Sequence, residues 1–534
     1  VKNLARQLFC LIMLILLLHA PASFLYAADE VSATGFAINA FEITGNTIYP
    51  EFKLQDAVRP FIGSGKTAAD VEKARDALEK LYHDKGYIAV IVNIPEQTLV
   101  GGIVKLEVIE SRIGRVKVTG NHYFTMEKIM KDVPSLAPGG MLYLPDVQKD
   151  ISRVNRSEDF KVDPIMSPGR ELGFIDVELK VTDHMPLHGY LELNNRTSPN
   201  TDELRLNAMV RYDNLWQLDH SLALQFQIAP QKPSQVTVAG ASYVLNAPWE
   251  TDNQIALYGI SSNTDVAFGE GFKIIGRGYI YGIRYVVPLT PYKLYSHNIT
   301  FGLDYKSLDQ SLGFVNPANG AETNTPVHYM PFVCAYNSYL PDGWGGMTQF
   351  NAGLNMAFRG VVSQESEFEN KRYMAQADYT YATMGVERTQ KLPRGMSLTA
   401  KVDGQVSNQP LIDSEQYTAG GIESVRGYLE SEEAGDNAFH TTVEISFPSL
   451  FEKTAIGKWF QPSPFIFYDI ATLSIKDPLP GQGNRIRLEG TGVGIRGSIT
   501  KTFDYEADWA VALQPTAYTQ RDEQRIHFKV KASF

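Results

Sequence analysis

An arginine set among glycines is the residue of this chain best placed to do chemistry. Gly420-Gly421-Ile422-Glu423-Ser424-Val425-Arg426-Gly427-Tyr428 forms a polar stretch between two strand-like segments. Glycines on both sides of Arg426 let its backbone pass close to a wall. About forty residues on, Phe467-Tyr468-Asp469 falls inside a strand-like run. With a period of two, Phe465, Phe467 and Asp469 share one face of that strand, and Ile466, Tyr468 and Ile470 share the other. An arginine on a long loop and an aspartate on a wall could form a buried pair. Arginine suits such a pair because its planar fork binds a carboxylate through two hydrogen bonds and stays charged at any working pH. Taken alone, Val425-Arg426-Gly427-Tyr428 reads equally as the tip of a flexible surface loop.

Other chemistries find little support. No complete glycine-rich phosphate loop ending in Lys-Ser/Thr is present, no His-Glu pair has zincin spacing, and no Gly-x-Ser-x-Gly elbow is evident. The 10 histidines are scattered. No catalytic residue, no metal and no cofactor is therefore expected. The net charge of -11 comes without a dense basic run, which argues against a nucleic-acid partner.

The elements that must position the arginine begin with a leader. Lys2 and Arg6 precede an apolar core from Leu8 to Leu18, too short to span a bilayer comfortably. Small-residue cleavage sites follow at Ala20-Pro21-Ala22 and Leu25-Tyr26-Ala27, so residues 1–27 read as a secretory signal, with a membrane anchor as the other reading. Cys10 lies inside that core, which leaves Cys334 as the sole mature cysteine and excludes an internal disulfide. Beyond it no run of about 18 apolar residues occurs, so no membrane-spanning helix is expected. Mean hydropathy is -0.19. A transmembrane β-barrel stays open, because its alternating strands average out in hydropathy.

Residues 36–184 carry an internal repeat. Phe36 to Thr44 is strand-like and ends at Gly45-Asn46, a turn signal. Helices are predicted from near Pro50 and from Thr67, where Thr67-Ala68-Ala69-Asp70 forms a capping box ahead of Val71, Ala74, Leu78 and Leu81. Tyr87 to Ile94 and Ile103 to Ile109 are β-rich. The order then recurs. Val116 to Thr119 leads to Gly120-Asn121, helices follow at Thr125 to Val133 and from Pro145, and strands close the unit near Phe160 to Ile165 and Phe174 to Val181.

From Pro186 the helical period gives way to alternation. Leu222, Leu224, Phe226 and Ile228 alternate with Ser221, Ala223, Gln225 and Gln227, and similar runs start at Leu187 and Leu204. The last strand sets Ile526, Phe528, Val530, Ala532 and Phe534 against Arg525, His527, Lys529, Lys531 and Ser533. An apolar stripe facing lipid opposite a watered, basic lumen explains this pattern, and a soluble sandwich is the other reading. At about 10 residues per strand plus loops, residues 186–534 hold roughly 16 strands. Polar outer loops are predicted at Lys306 to Pro326, Ser363 to Lys371 and Gln409 to Asn437, and Pro393-Arg394-Gly395 as a tight turn at the opposite end. Gly490, Gly492 and Gly494 share one face of a late strand, where they either clear space for the loop or mark curvature.

These features together resemble the superfamily of transporters that place periplasmic POTRA domains ahead of an outer-membrane barrel. The stretch Gly86-Tyr87 … Pro95-Glu96-Gln97 … Gly101-Gly102-Ile103-Val104-Lys105-Leu106-Glu107-Val108-Ile109-Glu110 … Val116-Lys117-Val118-Thr119-Gly120 looks like the junction of the two POTRA domains in two-partner secretion transporters, the TpsB-type haemolysin secretion/activation proteins. The fold implied is mainly β: POTRA domains at 36–111 and 112–184, then an antiparallel transmembrane barrel of about 16 strands at 186–534. The resemblance makes Val425-Arg426-Gly427-Tyr428 the motif of the sixth loop, Asp469 with Phe467 its partner on the barrel wall, and Phe534 the terminal assembly signal. It implies a bacterial outer-membrane location and a monomer that captures an unfolded exoprotein, such as an adhesin or cytolysin, with export driven by folding outside. Outer-membrane lipid and, during biogenesis, the barrel-assembly machinery are its other implied partners. An exposed POTRA sheet edge suits capture by strand addition. Many relatives carry an N-terminal helix that plugs the pore. Ala28 to Gly35 leaves no room for one, so the sixth loop is expected to be the main obstruction. A barrel-assembly insertase of the same superfamily is the runner-up, although those usually carry more POTRA domains. A passive porin would not need the modules, and an outer-membrane protease or lipase is the weakest reading.

Overall fold

The computed structural model describes residues 35–263, 266–268, 272–275, 277–315, 322–500 and 502–534. The signal segment and the space expected to lack a plug helix lie outside them. The chain divides into two compact units, Val1–His184 and Met185–Phe534.

The first unit contains the same module twice. In the first module a parallel pair, Ala40–Thr44 with Ile103–Ile109, is extended by antiparallel Ile91–Asn93. Helices Glu51–Val58 and Ala68–His83 contribute Leu54, Val58, Ala74 and Leu78 to the core beneath that sheet. The second module repeats the order, with parallel Arg112–Thr119 and Phe174–Asp183 extended by antiparallel Phe160–Pro168. Its helices are Met126–Asp132 and Leu144–Val154.

The repeated Gly-Asn has a structural cause. A Cβ on Gly45 would meet the Val108 carbonyl at 2.2 Å, and one on Gly120 the Val181 carbonyl at 2.4 Å. The Asn46 and Asn121 amides donate to the carbonyls of Tyr49 and Phe124. An acidic residue near the end of each module accepts the N–H groups that follow. Glu110 takes Thr47 and Ile48 at 2.8 and 2.9 Å, and Asp183 takes His122, Tyr123 and Phe124 at 2.8, 2.7 and 3.1 Å.

Two expectations for the first module need correction. Phe36 to Thr44 is two strands, and Phe36–Ile38 pairs with Gly63–Lys66 rather than with the main sheet. Most of Tyr87 to Ile94 is not strand: Tyr87 packs its ring at a tilt against Tyr143, centroids 4.9 Å apart, and Leu144 donates its N–H to the Gly86 carbonyl.

The second unit is a closed antiparallel barrel. Its first eight strands are Leu187–Asn194 (β1), Arg205–Leu215 (β2), His220–Ile228 (β3), Thr237–Ala247 (β4), Glu250–Ser262 (β5), Gly278–Pro288 (β6), Ser296–Val315 (β7) and the collinear pieces Glu322–Tyr329 and Phe332–Pro341 (β8). The next eight are Gly346–Met356 (β9), Thr380–Lys391 (β10), Ser397–Ser407 (β11), Asn437–Ser446 (β12), Ser463–Ser474 (β13), Arg485–Ile499 (β14), Phe503–Ala512 (β15) and Gln524–Ser533 (β16). Both pieces of β8 pair with β7, and Pro331, which has no N–H to give a ladder, lies at the break. Five residue pairs from Lys529↔Asn194 to Ser533↔Tyr190 close the ring between β16 and β1, and Phe534 continues the seam through two backbone bonds with Gly189.

Alternation places side chains as the period of two requires. Leu222, Leu224, Phe226, Ile526 and Val530 are exposed on the outer wall, and Gln227 and His527 are buried inside. Chain entry and exit share the near end, where Pro393–Gly395 forms a short turn between β10 and β11. Connections 357–379 and 408–436, both long, lie at the far end. Lys306 to Pro326 was expected to be an outer loop as well, but β7 and β8 continue their ladder as far as Val315 and Glu322. The fifth far-end connection, 357–379, holds a helix at Glu365–Lys371. The sixth, 408–436 and here called loop 6, runs between adjacent strands β11 and β12.

Candidate functional site

Loop 6 folds into the lumen. Phe368, from the helix of the fifth connection, packs with Leu411 and Ile412 against Ile280, Leu308 and Tyr379 to form an apolar cluster at the far end. Asp436, fully buried at the other limb of loop 6, receives both terminal nitrogens of Arg372 at 2.5 and 2.6 Å and the N–H groups of Leu411 and Lys476. These bonds fix both limbs, and the tip between them reaches the wall made by β12 to β16.

At the tip Arg426 is 5 % exposed and Asp469 on β13 is wholly buried. Nε and Nη2 donate to the two oxygens of Asp469 at 2.7 and 2.9 Å, and the Arg426 backbone N–H donates to the same carboxylate at 3.1 Å. Nη1 donates to Glu444 on β12 at 2.9 Å. Glu444 also holds Arg496 of β14 through its other oxygen. The guanidinium carbon stands 3.4 Å from the Phe467 ring centroid, so the cation is stacked as well as paired. Burial disfavours the charged arginine, but Asp469 and Glu444 outweigh it and hold the Arg426 pKa above its ordinary value.

The neighbours of Arg426 complete the seat. Val425 is buried with Ala471, Leu473 and Leu488. The Gly427 N–H donates to His527 Nε2 at 3.1 Å. Gly427 has φ +99, and a Cβ there would lie 3.1 Å from the Ala512 nitrogen, so the position is costly for any other residue. The Tyr428 hydroxyl sits 2.7 Å from the Gln514 carbonyl and accepts the N–H groups of Gln514 and Glu489, both at 3.2 Å.

Three glycines on β14 lie directly across from the inward residues of β13: Gly490 opposite Asp469, Gly492 opposite Phe467 and Gly494 opposite Phe465. A Cβ on Gly490 would meet the Arg426 carbonyl at 2.0 Å. A Cβ on Gly492 would first strike the Trp509 carbonyl of β15 at 2.0 Å and then the Phe467 ring at 2.7 Å, and one on Gly494 would strike the Phe465 ring at 2.2 Å. Of these three, Gly490 alone clears space for the loop itself; Gly494 clears space for the Phe465 ring, and Gly492 lets β14 lie close to both the β15 backbone and Phe467.

The structure thus brings Arg426, Phe467 and Asp469 together and sets Val425, Gly427 and Tyr428 around them. Phe534 lies apart, at the near end of the closing seam, 70 % exposed. Glu444 and Arg496 were not singled out in the sequence. The only available signal for Glu444 was its place on the inward phase of a strand directly after the loop.

Comparison with known proteins gives two matches to family models. Residues 36–111 match the ShlB-type POTRA domain. Residues 335–497, which include loop 6, Glu444 and Asp469, match the haemolysin secretion/activation protein family ShlB/FhaC/HecB. The outer membrane transporter CdiB of Dickeya dadantii is 23% identical over 370 residues, covering 68% of this chain and 64% of that relative's length. The heme/hemopexin transporter protein HuxB of Haemophilus influenzae is 19% identical over 488 residues, covering 86% of this chain and 80% of its own. Among solved structures, CdiB from Escherichia coli superposes with a TM-score of 0.62 at 17% identity, over 97% of this chain and 93% of that one. BamA from Haemophilus ducreyi lacking POTRA domains 1-3 gives 0.57 at 14% identity, over 93% of this chain and 100% of that one. At these identities the structural likenesses speak for the fold alone.

Proposed function

The chain belongs to the outer-membrane transporters of two-partner secretion, the haemolysin secretion/activation family, and from that premise we propose that it captures an unfolded exoprotein in the periplasm and passes it through the barrel to the cell surface. The observation that carries this reading is the loop 6 clamp. A passive pore has no need to hold a 29-residue connection (408–436) inside its lumen by a buried arginine with two carboxylates. Two α/β modules with open sheet edges precede the barrel, and an extended chain can add to such an edge through backbone hydrogen bonds alone, with little demand on sequence. The insertase reading shares the fold but is less favoured, because the family model matched across loop 6 and β13 is that of secretion/activation proteins.

The test is co-expression with a candidate exoprotein encoded beside this chain. Arg426→Ala should leave a barrel whose mobility on gels still shifts on heating, while surface-exposed exoprotein falls more than about tenfold, because breaking a buried charged pair is strongly destabilising to the seat of loop 6. Undiminished export by a folded Arg426→Ala barrel would refute the reading.

A further inference from the structure

Loop 6 is held at a second place, far from its tip. Its descending limb contains a short 3-10 turn, Asp413–Glu415, and the Glu415 side chain is almost fully buried. One of its oxygens accepts from Lys306 Nζ at 2.6 Å and from the Tyr329 hydroxyl at 2.7 Å; the other accepts from the Tyr381 hydroxyl at 2.8 Å. Those donors come from β7, the outer piece of β8, and β10. The Glu415 carbonyl takes the Gln405 amide at 3.1 Å, and Tyr417, two residues on, donates to Asp403 at 2.6 Å. β7 stands six strands round the ring from β13, where Arg426 is held. Beside this carboxylate lies a cavity of about 500 Å³ lined by Arg284, Asp304, Lys306 and Tyr381, so the lumen next to the limb is not filled.

We propose that Glu415 is a second latch of loop 6, a positioning residue that ties the descending limb to β7, β8 and β10 while Arg426 ties the tip to β12 and β13. The lumen opens only when both ends release. A buried carboxylate held by one cation and two hydroxyl donors cannot leave its seat without giving up a charge-assisted bond to Lys306 and two further hydrogen bonds at once. With the tip alone freed, the limb still crosses the lumen. The proposal rests on the transporter reading only in taking loop 6 as the obstruction.

Single-channel recording of the purified full-length protein in planar lipid bilayers tests it without any exoprotein. Glu415→Gln and Lys306→Met should each raise open probability about tenfold, the ratio given by losing one charge-assisted bond. The double variant should gain no more than either single one, because both remove the same bond. That non-additivity is what a general loosening of the barrel would not give. Tyr381→Phe removes one donor only, and should show a smaller rise should Glu415→Gln fail to fold. Open probability equal to the parent in the folded variants overturns the latch, as does full additivity. If those variants are silent while Arg426→Ala blocks export, the latch fails and the transporter reading stands. If the variants conduct but Arg426→Ala exports normally, the transporter reading fails and the latch stands.

Discussion

Three nitrogens of Arg426 are each matched to a carboxylate oxygen, and its carbon plane rests on Phe467. A lysine would offer one compact charge and no plane, so it could not reproduce the paired bonds to Asp469, the bond to Glu444 and the stack on Phe467 together. Arg426→Lys should therefore export like Arg426→Ala, more than about tenfold below the parent, measured by surface labelling of the exoprotein. The role of a carboxylate here depends on its partner. Asp508 on β15 is buried, yet neither of its side-chain oxygens has a hydrogen-bond partner among the described residues. Asp508→Asn should export within about twofold of the parent, whereas Asp469→Asn should not, because only the second loses a charged partner. Arg426 and Asp469 were legible in the sequence as candidates from residue type and strand phase, and their pairing from the family resemblance. Glu444 and Glu415 were not. A glutamate in a loop or an alternating strand looks the same whether it faces water or an arginine, and only the closed ring decides which.

At the scale of elements, periodicity was the reliable guide. The period of two placed Phe465, Phe467 and Asp469 inward, and the Gly-Asn repeat marked two equivalent turns. Length was the weak point. Lys306 to Pro326 is polar and rich in turn-forming residues, yet most of it pairs as strand, because a ladder once begun satisfies backbone groups that a loop would leave to water. The β14 glycines allow a direct test. Gly490→Ala places a methyl group against the Arg426 carbonyl and should unseat the tip, seen as faster proteolysis within loop 6; Gly494→Ala should instead disturb Phe465. In the second module, burial pushes the Asp183 pKa up, but the backbone N–H donors of residues 122–124 outweigh it and hold it below the usual aspartate range. A lowered folded pKa means a stabilisation complete above the unfolded value of about 3.9 and lost as pH falls through the folded one. Asp183→Ala should therefore raise hydrogen exchange at His122, Tyr123 and Phe124 by about tenfold or more at neutral pH, and the difference from the parent should shrink as acid protonates the carboxylate.

For the whole molecule, the division into repeated modules and a barrel followed from where helical spacing ended, near Pro186. The ring itself could not be read from any segment, since it depends on β16 meeting β1 across the full length of the unit. Sequence separation within the clamp bears on how that ring is made. Glu444 and Asp469 lie 18 and 43 residues beyond Arg426, whereas the Gly427–His527 and Lys306–Glu415 bonds span 100 and 109. Short intervals close at lower entropic cost than long ones. The tip can thus settle on the β12–β13 hairpin while the later strands are still unpaired, and the last hairpin then arrives to seal it. On that order of closure the wall forms around an interior that is already occupied.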